Sequence, residues 1–193
     1  YNQRHSIEIE KAKITCQVTN TPHHIIPIKF FGDLVAKVSA LSNQKFVDIP
    51  TLEDVLGDAQ PLTYVPYRNM LFLTLALSFA ETNNANFIFI GVQTADLYGY
   101  WDTTPEYIKR MNAVSELNRQ SYIQLVGPFV NLTKGQEILI GQELGLDFSN
   151  TWSCYSGPDE EGKACGTCPT CMERLKAFNE VGLTDPIKYK VGN

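Results

Sequence analysis

Four of the chain's five cysteines fall within eighteen residues, as Cys154, ten intervening residues, and then Cys165-Gly166-Thr167-Cys168-Pro169-Thr170-Cys171. No other feature constrains the fold as much, because thiols this close in sequence can surround one centre. Thiolate sulfur is what soft and borderline metals select, and zinc takes four such ligands as a tetrahedron. A metal with all four positions filled by protein has no place for a reacting water, so Cys154, Cys165, Cys168 and Cys171 are expected to bind structural Zn2+. Disulfides fit less well. Five cysteines leave one over, gaps of two residues are poor bridging geometry, and the sequence shows no secretory signal. An iron–sulfur cluster is the stronger rival, since Cys-x2-Cys-x2-Cys occurs in ferredoxins. There a further Cys-Pro follows three residues on, whereas here Met172-Glu173-Arg174 follow with no later Cys. Cys16, alone in a predicted helix, is expected in the core.

A length of 193 residues suits a single domain spanning 1–193, with the zinc segment and final helix at 151–181. No run is apolar enough over about 18 residues to span a bilayer. The greasiest stretch, Met70 to Phe79, reads as a buried helix. A net charge of -5 with scattered Lys and Arg argues against a large nucleic-acid surface. No internal repeat or low-complexity tract is present.

Helices and strands alternate along the chain. Ser6 is placed to cap a helix running to about Thr19. His23 to Phe30 reads as a short strand and Phe31 to Leu41 as a helix. Ser42 to Thr63 is polar and aperiodic, a long surface loop of the kind that forms lids. Pro66-Tyr67-Arg68-Asn69 opens a helix to about Thr82. Asn86 to Val92 is continuously apolar, as in a strand covered on both faces. Thr104 to Asn118 is helical, with Pro105 where helix starts tolerate it. Tyr122 to Phe129 is a strand, and Thr133 to Leu144 is a helix stopped at Gly145. A last helix covers Pro169 to Val181. The pattern implies βαβ units and a parallel sheet, with ligands outside the carboxyl ends of the strands.

The segment Gly91 to Asp102 follows one such end. Asp96 and Asp102 flank Gly99, with Tyr98, Tyr100 and Trp101 beside them. Carboxylates at a Gly-bearing turn suit magnesium, an amine or guanine-like N–H donors, and aromatic faces suit a flat heterocycle. A solvated turn is the plain alternative. His23 and His24, entering a predicted strand, read as packing or solvent residues.

These segments together resemble the 7-cyano-7-deazaguanine synthase family. Five pieces carry the resemblance in order: Tyr1-x-Gln3-Arg4-His5-Ser6-x-Glu8; Val65-Pro66-x-Arg68-Asn69; Gly91-Val92 with Asp96; Gly99-Tyr100-x-Asp102; and Thr151-Trp152-Ser153-Cys154-Tyr155 through Cys165-Gly166-x-Cys168-x-x-Cys171-x-x-Arg174. Lys134 falls where the family has a lysine opening a helix. The resemblance implies a Rossmann-like parallel sheet of the adenine-nucleotide alpha-hydrolase, PP-loop type, with the zinc segment at its C-terminal end. It also implies an ATP-dependent carbon–nitrogen ligase of queuosine biosynthesis. Such an enzyme converts 7-carboxy-7-deazaguanine and ammonia to the nitrile, using ATP with Mg2+, in the cytoplasm and as a homodimer.

By that resemblance Lys134 and Arg68 are candidates for the ATP phosphates or the substrate carboxylate. Asp96, Tyr100 and Asp102 would face the deazaguanine, and Arg4 and His5 would border the nucleotide. His5 reads equally well as a buried structural histidine. The family's Ser-Gly-Gly-x-Asp-Ser loop, whose amides wrap pyrophosphate, is not among the 193 residues, which begin about where the segment after that loop should begin. The expectation is an N-terminal piece preceding Tyr1. Where the family reads Asp-x-Ser-Gly-Tyr-Pro-Asp-Cys-Arg, this chain reads Asp96-Leu97-Tyr98-Gly99-Tyr100-Trp101-Asp102-Thr103-Thr104, and Tyr67 stands where Gly is usual. Thr does not replace a bidentate Arg. Two alternatives therefore stay open: a diverged relative making an amide or joining the deazaguanine to another amine, and a non-catalytic, zinc-stabilised binding module.

Overall fold

The structure, a computed structural model, describes residues 1, 3, 6–42, 48–55, 61–93 and 100–190. Its elements in order are α1 (Ile7–Val18), α2 (Lys29–Val35), α3 (Leu52–Val55), α4 (Arg68–Thr82), β1 (Phe87–Phe89), α5 (Pro105–Ser115), β2 (Gln124–Val126), α6 (Lys134–Glu143) and α7 (Pro169–Glu180). Short 3-10 turns lie at Trp101–Thr103 and Phe148–Asn150. The architecture is mixed α/β with a parallel sheet. The described residues divide into two compact units, Pro66–Thr133 in one and Tyr1–Val65 with Lys134–Asn193 in the other. No described helix is long and apolar enough to cross a membrane.

The Pro66–Thr133 unit is built on one βαβ step. β1 pairs in parallel with β2, Phe87 opposite Gln124 and Phe89 opposite Val126. α5 connects the two strands and finishes the sheet edge chemically. The Asn112 amide accepts from the Leu125 N–H at 2.8 Å and donates to the Leu125 carbonyl at 2.9 Å. Those two backbone groups face away from β1, and a side chain thus occupies the place of a further strand. Leu73 of α4, Tyr107, Ile108 and Met111 of α5, Val92 and Leu125 form the core. Thr104 caps α5, its hydroxyl accepting from the Tyr107 N–H at 3.1 Å, and Pro105 fills the first turn as expected.

In the other unit α6 packs on α7 through Ile138, Ala177 and Phe178. α6 ends at Gly145, whose φ of +73° is the left-handed stop that favours glycine. The cysteines share a core with Ala164, Ile187 and Tyr189. A short parallel bridge, Ala164 to Tyr189, ties the cysteine loop to the C-terminal segment.

Several expectations are corrected. No strand forms over His23 to Phe30. Residues 21–28 are irregular and α2 already begins at Lys29, since Pro22 and Pro27 each remove a ladder donor. Both described histidines there, His23 and His24, are exposed. β1 is not covered on both faces, because Phe87 and Phe89 are exposed while Ile88 turns to the core. α4 is not buried all round. Within Met70 to Phe79 only Leu73 is buried. Ser6 precedes α1 without a capping side-chain bond, and Cys16 is half-buried on a helix with no buried residue. The expected loop over 42–63 contains the short helix α3, the segments 43–47 and 56–60 lying outside the described residues.

Candidate metal centre and active site

The cysteine loop gathers its sulfurs by backbone geometry. Gly166, at φ +78°, turns the chain between Cys165 and Cys168. The turn aims the Thr167 and Cys168 N–H groups at the Cys165 sulfur, at 3.5 and 3.3 Å. The Cys165 N–H in turn reaches the Cys154 sulfur at 3.4 Å. Cys168 then caps α7, Pro169 starts it, and Cys171 rides its first turn. The Thr170 hydroxyl donates to the Ser153 carbonyl at 2.7 Å, and the Trp152 indole donates to the Cys154 carbonyl at 3.0 Å. The two halves of the loop are thereby held together.

All four sulfurs lie within 4.8 Å of one another, with Cys165 and Cys171 at 3.9 Å. A tetrahedron with metal–sulfur bonds of about 2.3 Å has edges of about 3.8 Å, so the donor set fits one metal ion. Crowding divides the thiols. Cys165 is held far below the ordinary thiol range, by Cys154 first and Cys168 next. Cys168 is drawn down to about 6, chiefly by Cys154. Cys154 and Cys171 are pushed up, mainly by Cys165 and by Cys154 respectively. Four thiolates cannot share this volume without a cation, and the start of α7 adds a favourable dipole.

Beyond Cys171, α7 carries two charged anchors. Arg174 makes a two-pronged bond to Asp185, Nε to Oδ2 at 2.6 Å and Nη2 to Oδ1 at 2.9 Å. Arg174 also donates to the Thr151 hydroxyl at 2.7 Å and to the Phe148 carbonyl at 3.2 Å. Asp185 accepts as well from the Tyr189 hydroxyl at 2.7 Å and the Ile187 N–H at 3.2 Å. All three side chains are buried. Burial first, and the bond to Asp185 next, push the Tyr189 phenol well above its usual range. The other anchor is Glu173, which pairs with Lys134 at the start of α6.

In the Pro66–Thr133 unit, the 3-10 turn Trp101–Thr103, just before α5, carries Asp102. Asp102 is 4% exposed. Burial raises its carboxyl above the ordinary range, against the pull of the Arg68 guanidinium and the Asn69 backbone N–H. The Asn69 side chain donates to the Asp102 carbonyl at 3.1 Å. Tyr107 is also buried, its hydroxyl has no hydrogen-bond partner, and burial with the nearby Asp102 charge raises it to about 12. Trp101 lies edge-on to Tyr107 at 5.5 Å and to Tyr67 at 5.6 Å. Tyr100 is half-buried, its carbonyl held by the Thr103 hydroxyl at 2.8 Å.

The structure thus brings the four cysteines together and brings Arg68 to Asp102, with Tyr100 opening the same turn. Lys134 belongs to the other unit. Asp96, Arg4 and His5 lie outside the described residues. Sequence reasoning gave no role to Asn69, Tyr107, Glu173, Asp185 or Tyr189. Only Asn69 was signalled, by its place beside Arg68.

These features define a class: an α/β protein with four clustered cysteines able to hold one metal ion and a buried carboxylate in the short turn that leads into α5. Comparison with known proteins sharpens it. The profile of the queuosine biosynthesis protein QueC family matches residues 1–182, and the chain belongs to that family. It is 41% identical over 192 residues to the 7-cyano-7-deazaguanine synthase of Caldicellulosiruptor saccharolyticus, covering 99% of this chain and 82% of that protein. The synthase of Paramagnetospirillum magneticum is 40% identical over 197 residues, covering 98% and 84%. That of Marinomonas sp. is 35% identical over 190 residues, covering 98% and 84%.

Proposed function

We propose that this chain is an ATP-dependent ligase that converts 7-carboxy-7-deazaguanine and ammonia to 7-cyano-7-deazaguanine. The carrying observation is similarity along 99% of the chain to a protein named for that synthesis. The chemistry follows from the substrate. A carboxylate is a poor electrophile, since its charge repels nucleophiles and oxide leaves badly. Transfer of AMP from ATP to a carboxylate oxygen releases pyrophosphate and creates an acyl adenylate. Ammonia attacks the carbonyl carbon, AMP departs, and an amide remains. A second ATP places AMP on the amide oxygen, releasing pyrophosphate and one N–H proton. Loss of AMP and a proton then gives the nitrile. Cationic groups that neutralise the departing phosphates lower both activation barriers.

Asp102 suits the guanine-like edge, where a carboxylate accepts paired N–H donors, and Tyr100 borders it. Arg68, beside Asp102, and Lys134 are each candidates, by family resemblance, for the ATP phosphates or the substrate carboxylate. Asp96 joins the substrate contacts, and Arg4 and His5 the nucleotide contacts, by family resemblance. Mg2+ accompanies ATP and supplies charge neutralisation. Cys154, Cys165, Cys168 and Cys171 would hold Zn2+, which leaves no open position and so acts on the fold. Thr103 and Thr104 bond locally, to the Tyr100 carbonyl and as the cap of α5, so they take no substrate role. A cytoplasmic homodimer completes the proposal.

The test is turnover by the full-length protein with 7-carboxy-7-deazaguanine, ammonium and Mg-ATP, followed by mass spectrometry. Nitrile with two AMP per product supports the reading. Accumulated amide moves it to the amide-forming alternative. No ATP consumption leaves the binding module.

A further inference from the structure

The pair between Glu173 and Lys134 is unusual in its surroundings. The Glu173 side chain is 8% exposed, and its second oxygen, Oε1, is buried without a hydrogen-bond partner. A half-satisfied buried carboxylate costs the fold stability. The Lys134 side chain is 35% exposed, so the pair is not sealed from solvent. Lys134 also opens α6, where the partial positive charge of a helix start repels an ammonium. A surface lysine would relieve that repulsion by swinging away. Here Glu173 holds it in place.

The backbones are pressed together at the same point. A Cβ on Gly135, the next residue, would meet Val181 Cγ1 at 3.1 Å and the Ala177 carbonyl at 3.6 Å. The first turn of α6 therefore sits hard against α7. α7 is itself fixed by Cys168 and Cys171 on one side of Glu173 and by the bond from Arg174 to Asp185 on the other. Glu173 thus sits between two anchors on α7.

We propose that Glu173 is a positioning residue for Lys134: it holds the ammonium in the one orientation that serves the departing phosphate groups. This rests on the synthase reading and on the role of Lys134 in it. Misplacing such a group by about 1 Å costs on the order of 100-fold in rate. Because the phosphates are most negative as they leave, the loss falls on kcat rather than on KM.

The test compares wild type, Glu173→Gln, Glu173→Leu, Lys134→Met and the double variant Lys134→Met/Glu173→Leu, in the full-length protein. Metal content and thermal unfolding are checked in each. Glu173→Leu should lower kcat by about 10- to 100-fold with KM for the deazaguanine within about twofold. Glu173→Gln, which keeps an acceptor for Lys134, should recover a large part of kcat. Glu173→Leu should cost nothing further in the Lys134→Met background. Unchanged kcat in Glu173→Leu, a loss confined to KM, or an additive loss in the double variant would overturn the proposal. If Glu173→Leu does not fold, Glu173→Ala, which removes the acceptor without adding bulk, decides, and wild-type kcat for it overturns the proposal. A fully active Lys134→Met would overturn the assigned role of Lys134 and this inference with it. An inactive Lys134→Met beside an active Glu173→Leu would overturn this inference alone.

Discussion

Replacing Asp185 by Ala should be the most damaging single change among the buried polar residues away from the cysteines. Arg174 would keep its charge and lose both prongs of its bond to Asp185, at 2.6 and 2.9 Å. The Tyr189 hydroxyl and Ile187 N–H would lose an acceptor at the same time. Breaking a buried ion pair by removing one partner costs about 3–5 kcal/mol. The surviving bonds from Arg174 to Thr151 and Phe148 hold the guanidinium in place without neutralising it, so relief by side-chain movement is small. At about 2–4 °C per kcal/mol for a chain of this size, the melting point should fall by roughly 6–20 °C. Urea unfolding followed by circular dichroism in zinc-containing buffer measures the loss directly. Arg174→Met/Asp185→Leu is the control. Replacing both charges with apolar groups is often neutral or stabilising, so the double variant should recover the ion-pair share of the loss, while the Tyr189 hydroxyl and Ile187 N–H still lack their acceptor. A loss under about 1 kcal/mol for Asp185→Ala, or a double variant as unstable as the single, would refute the reasoning.

Asp102→Asn should separate stability from function. The raised carboxyl of Asp102 contributes stability that is complete below its unfolded value of 3.8 and lost as pH rises through the folded value. At neutral pH the charge therefore weighs against the fold, so the variant should melt no lower than wild type while KM for the deazaguanine rises by about 10- to 150-fold. If the cysteines hold a metal, a chelator should lower the melting point and raise amide exchange in α7, whose start carries Cys168 and Cys171, and added Zn2+ should restore both. At high pH, the neutral phenols of Tyr107, raised to about 12, and of Tyr189, raised further, contribute stability that is complete below 10 and lost as pH climbs through their folded values. Absorbance at the phenolate band should show Tyr107 and Tyr189 ionising only with unfolding. Phenolate signals that vanish in Tyr107→Phe or Tyr189→Phe while the protein is still folded would contradict the burial argument.

What could be read from sequence was what is local. The cysteines are legible because the turn that joins three of them, with its Gly and Pro, is written in consecutive residues. Thr104-Pro105 and Gly145 likewise announce helix ends through their own backbone preferences. The pairing of Lys134 with Glu173 spans 39 residues, and no composition or period records which faces of α6 and α7 meet. Apolar runs misled in one direction. Asn86 to Val92 and Met70 to Phe79 look fully buried by content, yet Phe87, Phe89, Phe72 and Phe79 are exposed. Content reports what a segment can bury, whereas exposure depends on what packs against it.

The departures from the family pattern also gain a physical sense that sequence could not supply. Tyr67 takes φ +53° just before α4, a conformation that glycine adopts freely and an aromatic residue rarely does. Trp101, standing where the family has Pro, meets the Tyr67 ring edge-on at 5.6 Å and the Tyr107 ring at 5.5 Å. Such contacts are each worth about 0.5–1.5 kcal/mol beyond buried area, comparable to the cost of a left-handed side-chain-bearing residue. The Tyr67 and Trp101 side chains, both departures from the family pattern, thus support each other. Thr103 and Thr104, in place of Cys-Arg, supply the bonds that close the same turn. The divergent residues rebuild the support of Asp102 while leaving Asp102, Arg68 and Asn69 in place. If Asp102 and Arg68 take the substrate roles proposed above, these changes fall on the residues that support them.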